Sequence, residues 1–361
     1  MNVLTGLDLP WGSPGGSVEL LKDLYLSPGG PMAARTFMLA SNEEPRPTGA
    51  GLPALLDVPG KQLSGKGFWA YVDRLTRAVT DCFPPGEQDV IHLQHLAFGA
   101  TPALLRGYPK QPRIGLVHGT DLLFAAEFPT QAEVLREAVD AAQAIVVPTV
   151  GMADQLRRLT PVEMGRIVHI PWGVPDKLLT RPPARVDRDD GELRVLYAGR
   201  LTAEKGAAEL ISALSGVAGV GLSMASPPAE FHRLADAEDL SAVRYLGWLS
   251  RTDLWAAFAE HDLLVIPSAK LEAFGLVAVE AQACGLPVAY QPVPGLTDAL
   301  GESALPLDLL ADPNRAMAVI TALRADRHAL AELREAGFRN AARFPLSRTA
   351  HELAALSAQV R

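Results

Sequence analysis

Short apolar runs, four to seven residues long, alternate along this chain with longer segments whose apolar residues recur three and four apart. The runs have the length of strands buried on both faces, and the longer segments have the period of helices lying on a sheet. In the first half the pattern predicts strands at Asn2–Thr5, Thr36–Ala40, Asp89–Leu93, Arg113–Val117, Ala144–Val147 and Ile167–Ile170. It predicts helices at Val18–Tyr25, Phe68–Phe83, Gln131–Ala142 and Gly151–Leu159. In the second half strands are expected at Leu193–Gly199, Val220–Met224, Val243–Leu246, Asp262–Ile266 and Pro287–Tyr290. Helices are expected from about Lys205, at Arg251–Glu260, from Phe274-Gly275-Leu276 to a stop at Gly285, and near 312–324, 326–342 and 347–360. Strand and helix alternating along most of the chain mean parallel, doubly wound sheets, an α/β protein.

With 361 residues the chain is too long for one ordinary core and suits two domains. The first is expected over 1–173, ending at Pro171-Trp172-Gly173-Val174-Pro175, with a linker at 174–192 and a second domain over 193–345. The last helix, 346–361, stands apart. Arg181–Glu192 is charged and carries Pro182-Pro183, as linkers do. Its Asp187-Arg188-Asp189 matches a metal-binding Asp-x-Asp only superficially and reads as a solvated charge run. Ser41–Gly67, with four prolines and five glycines, is expected to be a long loop, either mobile or functional.

A formal charge of -8 and a pI near 5.5 argue against a nucleic-acid surface. Cys82 and Cys284 form no metal or disulfide pattern, and two scattered thiols fit a reducing cytoplasm. The first residues lack a signal-peptide pattern, and no apolar run approaches the ~18 residues that suggest a membrane span. No metal site is evident.

Candidate chemistry gathers at the carboxyl ends of the predicted strands, where open α/β sheets bind ligands. After the Asp262–Ile266 strand, the amides of Phe274, Gly275 and Leu276 open a helix and form an anion site. Glu272 precedes that helix; Glu280 lies five residues past Gly275, roughly 7–8 Å along the axis. Glu280 sits among Val277, Val279, Ala281 and Ala283, where a charge needs a partner. Arg200 and Lys205 follow the Leu193–Gly199 strand and suit a diphosphate, or alternatively a surface pair with Glu204. Gly15 and Gly16, between the first strand and its helix, allow close approach of backbone to a phosphate, or make a plain turn. His95 and His118 end two further strands, where a histidine is either structural or ligand-facing.

The stretch Pro267-Ser268-Ala269-Lys270-Leu271-Glu272-Ala273-Phe274-Gly275-Leu276, with Glu280 eight residues after Glu272, resembles the donor-site signature of retaining GT-B glycosyltransferases of the GT4-like family. Gly199-Arg200-Leu201 followed by Lys205-Gly206 is similar to that family's phosphate clamp. The likeness covers the second domain well and the first loosely. One extra residue separates Ser268 from Glu272, Ala273 stands where proline is common, and Ala225-Ser226-Pro227-Pro228 replaces a glycine-rich loop near the nucleotide base. The resemblance implies two Rossmann-like domains facing each other across a cleft, with the last helix packing back on the first. It implies transfer of a hexosyl or N-acetylhexosaminyl group, with retention, from a nucleotide-diphospho-sugar, a UDP-sugar ahead of a GDP-sugar.

On that resemblance Arg200, Lys205 and the amides near Gly275 meet the diphosphate, Glu280 the ribose and Glu272 a sugar hydroxyl. Gly15-Gly16 lies near the donor phosphate. His118, in His118-Gly119-Thr120-Asp121, faces the donor sugar, while His95 and Asp121 are acceptor-side candidates. No separate cofactor is implied. The first domain shows no strongly basic amphipathic helix, so a small soluble acceptor (an inositol, hydroxy acid, thiol or antibiotic precursor) is expected over a lipid at a membrane surface. Natural-product or thiol biosynthesis is the corresponding setting. The alternatives are a sugar-nucleotide epimerase or phosphorylase on the same fold, or a non-catalytic sugar-nucleotide binder. A nicotinamide dehydrogenase is disfavoured, because Gly12–Ser17 lacks Gly-x-Gly-x-x-Gly.

Overall fold

The computed structural model describes residues 1–27, 32–41, 51–186, 188, 191–214 and 217–361. Asp187 and Asp189 of the Asp-x-Asp match, and residues 42–50 of the expected long loop, lie outside the described residues. The chain forms two compact units: Met1–Trp172 with Leu346–Arg361, and Gly173–Pro345.

In the first unit, strands β1 (Val3–Pro10), β2 (Ala34–Leu39), β3 (Ala54–Leu56), β4 (Val90–Gln94), β5 (Arg113–Leu116), β6 (Ala144–Val147) and β7 (Ile167–His169) make one sheet in the order β3-β2-β1-β4-β5-β6-β7. Every pairing is parallel. β1 and β4 are buried almost throughout, their polar residues Thr5, Asp8, His92 and Gln94 included. The order reverses between β1 and β4, so a crevice opens at their carboxyl ends. Asp8 stands near the end of β1, and Gln94 and His95 stand at the end of β4.

The second unit repeats the scheme with β8 (Leu193–Ala198), β9 (Val220–Ala225), β10 (Val243–Gly247), β11 (Leu263–Ile266), β12 (Val288–Tyr290) and β13 (Leu305–Pro306), ordered β10-β9-β8-β11-β12-β13. All its pairings are parallel too. Leu193, Val195, Leu263, Val265, Ile320 and Leu330 belong to one core cluster between this sheet and its helices. Here the reversal falls between β8 and β11, the strands that lead into Arg200 and Ser268.

Several local features depart from the pattern: β13 and the helices Ala100–Gly107, Thr120–Glu127 and Pro228–Ala235 were not expected. The helix expected over Val18–Tyr25 is α-helical only over Gly16–Leu21 and continues as a π-helix over Lys22–Leu26, closed by Ser27 N donating to Lys22 O at 2.8 Å. The wider turn buries three consecutive side chains, Leu24, Tyr25 and Leu26, which a regular 3.6-residue period does not do. The Ser41–Gly67 loop contains β3, which pairs with β2 through Phe37–Leu39. Residues 173–192 group with the second unit: Val174 bridges Pro345, and Arg185 donates to the carbonyls of Phe258 and His261. The helix Leu346–Val360 groups with the first unit, where Thr349 Oγ1 donates to Pro171 O at 2.8 Å.

Candidate functional site

In the second unit, two strand-end loops are locked together. After β8 the chain turns through a 3₁₀ segment, Ala203–Lys205, and Gly206 at φ 67°. After β11 it runs from Pro267 to Gly275, and the Ala269 amide donates to Glu204 O at 2.8 Å. A side chain at Gly206 would strike the Pro267 carbonyl, so only glycine permits this approach. The closeness brings Lys205 Nζ to 2.5 Å from Glu272 Oε2, which also accepts from Ser268 Oγ at 3.1 Å. The ion pair considered between Lys205 and Glu204 is therefore not the one formed; the acidic partner lies across the loop.

Arg200 Nε reaches Glu230 Oε1 at 3.4 Å, and Glu230 Oε2 accepts from the Leu201 amide at 2.6 Å. Glu230 thus holds the Arg200 loop in place while the Arg200 side chain stays 44% exposed. Gly275, at φ 78° and ψ 52°, caps the helix Leu276–Ala283. The amides of Ala278 and Val279 turn back to the Gly275 carbonyl, so those of Leu276 and Val277 precede the first intrahelical bonds and form the positive mouth of the helix. Phe274 is buried edge-on against Phe344, so only its backbone can serve a ligand.

Glu280 has the partner its apolar setting demands. Arg251 grips both carboxylate oxygens, Nη2 to Oε1 at 2.6 Å and Nε to Oε2 at 3.4 Å, and Trp255 Nε1 donates to Oε2 at 2.7 Å. Arg251 and Trp255 are one turn apart on the helix Arg251–Glu260 and were not singled out from sequence. The signal was an arginine and a tryptophan at i, i+4 in that helix.

In the first unit, Gly15 caps the Gly16–Leu21 helix, and a side chain at Gly15 would meet no atom within 4 Å. His118 Nε2 lies 2.7 Å from Gln94 Oε1. Its ring stacks on Trp172 with centroids 5.7 Å apart and lies 4.5 Å from that of His95. Burial pushes the His118 imidazole down to about 3, so it is neutral at ordinary pH.

Asp121 is fully buried and accepts from the amides of Leu96 at 2.9 Å and His118 at 3.2 Å. It clasps the loops after β4 and β5 together instead of presenting its carboxylate to a ligand. Burial raises it to about 6 against the lowering effect of those amides.

His95 is 6% exposed, has φ 56°, and neither ring nitrogen has a hydrogen-bond partner. A strained backbone that presents an unpaired buried ring is a mark of a ligand-facing residue. Burial first, then the charges of His118 and Lys61, hold it well below the usual histidine range. Nearby in the sheet, Asp8 is buried, Lys61 Nζ lies 3.7 Å from its Oδ2, and Tyr71 Oη donates to the same oxygen at 3.4 Å. Asp8, Lys61, Tyr71 and Gln94 were not read as site residues from sequence. Among the described residues, no cluster of histidine, cysteine, aspartate or glutamate is arranged to hold a metal, and no helix is long and apolar enough to cross a membrane.

Two parallel-sheet units of this form define the GT-B architecture of glycosyltransferases. Sucrose-phosphate synthase from Thermosynechococcus elongatus superposes with a TM-score of 0.80 at 19% identity, over 99% of this chain and 98% of that one. HepE from Anabaena, in complex with UDP and glucose, gives 0.75 at 18% identity, over 99% of this chain and 100% of that one. The glycosyl transferases group 1 family model matches residues 183–336, and the glycosyl transferase 4-like domain matches 30–173. A D-inositol 3-phosphate glycosyltransferase of Catenulispora acidiphila is 32% identical over 308 residues, 75% of this chain and 72% of that protein. The chain belongs to the group 1, GT4-like family of glycosyltransferases.

Proposed function

We propose that this glycosyltransferase takes a sugar from a UDP-sugar and passes it, with retention, to a small polyol of the inositol class in the cytoplasm. The observation that carries the donor half is the Lys205–Glu272 pair beside the Gly275–Leu276 helix mouth, with Arg200 on the same loop as Lys205, at the reversal of the second sheet. Two cations and aligned amides suit the charge that develops on a departing diphosphate, and preorganised donors of this kind contribute several kcal/mol. Glu272 holds a sugar hydroxyl. Glu280 holds the ribose, since a carboxylate has about four acceptor sites and Arg251 and Trp255 leave it spare capacity. UDP as the carrier is supported by the HepE complex, and the polyol by the relative from Catenulispora.

On the acceptor side, Lys61, Asp8 and the unpaired ring of His95 suit a hydroxyl-rich ligand. In the reaction the anomeric carbon–phosphate oxygen bond breaks and an acceptor oxygen bonds to the anomeric carbon on the same face. The acceptor proton passes to the leaving phosphate oxygen, so no enzyme nucleophile is required.

A thermal-shift panel of UDP, GDP and their sugars tests the donor. A ligand at a hundredfold excess over Kd stabilises by about 2.7 kcal/mol. UDP and a UDP-sugar should raise Tm and GDP should not; the reverse order would overturn the carrier assignment. Incubation with a UDP-sugar and inositol or its phosphate should then give a glycoside of unchanged anomeric configuration, read by NMR. Donor epimerised in the absence of acceptor would instead support the epimerase reading.

A further inference from the structure

We infer that Gln94 is a positioning residue that fixes His118 as the Nε2–H tautomer and leaves Nδ1 as a hydrogen-bond acceptor for a substrate hydroxyl. The directions of the hydrogen bonds in a buried network compel this assignment. Thr5 Oγ1 has one proton, and it is 2.9 Å from the His92 carbonyl, which can only accept. Gln94 Nε2 lies 3.0 Å from the same Thr5 oxygen, so the amide must be the donor there. The amide nitrogen therefore faces Thr5, and the Gln94 carbonyl oxygen faces His118 Nε2 at 2.7 Å. An oxygen without a proton accepts only from N–H, so Nε2 carries the hydrogen of the neutral ring.

The rest of the network agrees with that orientation. Ser357 Oγ gives its proton to Leu353 O at 2.7 Å and so accepts from His92 Nε2 at 2.9 Å. His92 Nδ1 then accepts from Tyr25 Oη at 2.8 Å. The Tyr25 oxygen, its own proton spent, is approached by the Gln94 side chain, whose second amide hydrogen suits it. Reversing Gln94 would leave two oxygens facing each other at Tyr25 or Thr5. The π-helical turn that buries Tyr25 and the last helix that carries Ser357 thus set, through β4, which nitrogen of His118 is bare.

The role of His118 in transfer rests on the proposed function; its protonation pattern does not. The full chain labelled with ¹⁵N-histidine separates the two, because protonated and bare imidazole nitrogens have well-separated shifts, and His118→Asn identifies the signal. The wild type should show His118 protonated at Nε2. Gln94→Leu should bring in the Nδ1–H form, and Thr5→Val, which removes a single hydroxyl and spares the packing, should do so in part. Nδ1 protonation in the wild type, or an unchanged pattern in both variants, overturns the assignment.

With UDP-glucose as donor, Gln94→Leu should lower kcat by about tenfold, the scale of one misdirected hydrogen bond, with little change in KM. The same substitution in a His118→Ala background should add nothing further. Equal losses in both backgrounds would show a packing role only and overturn the positioning role. No turnover of UDP-glucose by the wild type, beside the expected NMR pattern, would fault the donor reading and leave the tautomer standing.

Discussion

Lys205 Nζ and Glu272 Oε2 stand 2.5 Å apart, joining the loop after β8 to the loop that opens the helix at Gly275. The cation proposed to meet a diphosphate and the carboxylate proposed to hold the sugar are thus a single electrostatic unit, with each group's position set by the other. Both side chains are partly exposed, 31% and 21%, so the pair itself contributes little to stability, at most about 1 kcal/mol. Its value is placement. Lys205→Ala should lower kcat by about a hundredfold or more, the scale of losing a preorganised charge in a site, while Tm stays within a few degrees. Steady-state kinetics beside a thermal melt checks both halves. Full activity in that variant would remove Lys205 from the clamp.

The Arg251–Glu280 pair should behave in the opposite way. It is buried, and removing Arg251 would leave a carboxylate with only the Trp255 indole among apolar side chains. Arg251→Ala should cost about 3–5 kcal/mol. Trp255→Phe, which keeps a ring and loses one bond to a charged group, should cost about 1.5–3 kcal/mol. Urea melts of the two variants give the order; an Arg251→Ala protein as stable as the wild type would mean that Glu280 is held by something else.

Which of these groups could be seen in the chain depended on how far apart their partners lie. Glu272, Gly275 and Glu280 fall within one strand-loop-helix unit, so their local spacing and the resemblance it carries single them out as candidates, and the same holds for Arg200 and Lys205. Gln94 touches Thr5 and His118, Arg251 touches Glu280, and Lys61 touches Asp8. Those contacts exist only because segments distant in the chain pack together, neighbouring strands around Gln94, two helices at Arg251 and Glu280, and a loop on a strand end at Lys61 and Asp8, and no local pattern encodes the pairing. The apolar rhythm found most strands and the longer helices. It missed the short strands β3 and β13 and the eight-residue helices Ala100–Gly107, Thr120–Glu127 and Pro228–Ala235, and it carried the helix straight through Leu21, because a π-turn inserts a register shift that period counting does not register. Asp121 shows a different limit: its place after a strand-end histidine suggested a ligand contact, and only its two amide donors reveal a brace.

Acid should destabilise the first unit through its buried imidazoles. His92 and His118 are pushed down to about 3 by burial, and His95 lies well below its usual range. The unfolded chain takes up these protons near pH 6.5 and the folded chain does not, so stability falls as pH drops below that value, by up to about 1.4 kcal/mol per pH unit for each ring. Asp121 opposes this. Raised to about 6, it binds a proton in the folded state first, and it returns part of the loss between pH 6 and its unfolded value near 4. The net uptake is roughly two protons, a slope on the order of 2–3 kcal/mol per pH unit. Tm should hold from pH 8 to 7 and fall steeply from 6 to 5; a flat Tm across that range would contradict neutral, buried imidazoles.

Gly295 offers the sharpest test of how the second unit sets the position of Glu272. It has φ 87°, and a Cβ there would run into the Glu272 carbonyl oxygen, while the neighbouring Pro294 carbonyl accepts from the Glu272 amide at 3.4 Å. Gly295→Ala must therefore push the Glu272 loop away from Lys205 or unfold it, at a cost of about 2–4 kcal/mol from clash and backbone strain together. Gly86, at φ 103° with no atom within 4 Å of the place a Cβ would take, is the control: alanine there meets only the torsional cost, about 1–2 kcal/mol. If the loop is the seat of the donor, Gly295→Ala should lose affinity for a UDP-sugar in the thermal-shift panel even where the protein remains folded, and Gly86→Ala should keep it. Equal affinity in the two variants would mean that the carboxylate of Glu272 can shift without consequence, and its contact with the sugar would have to be given up.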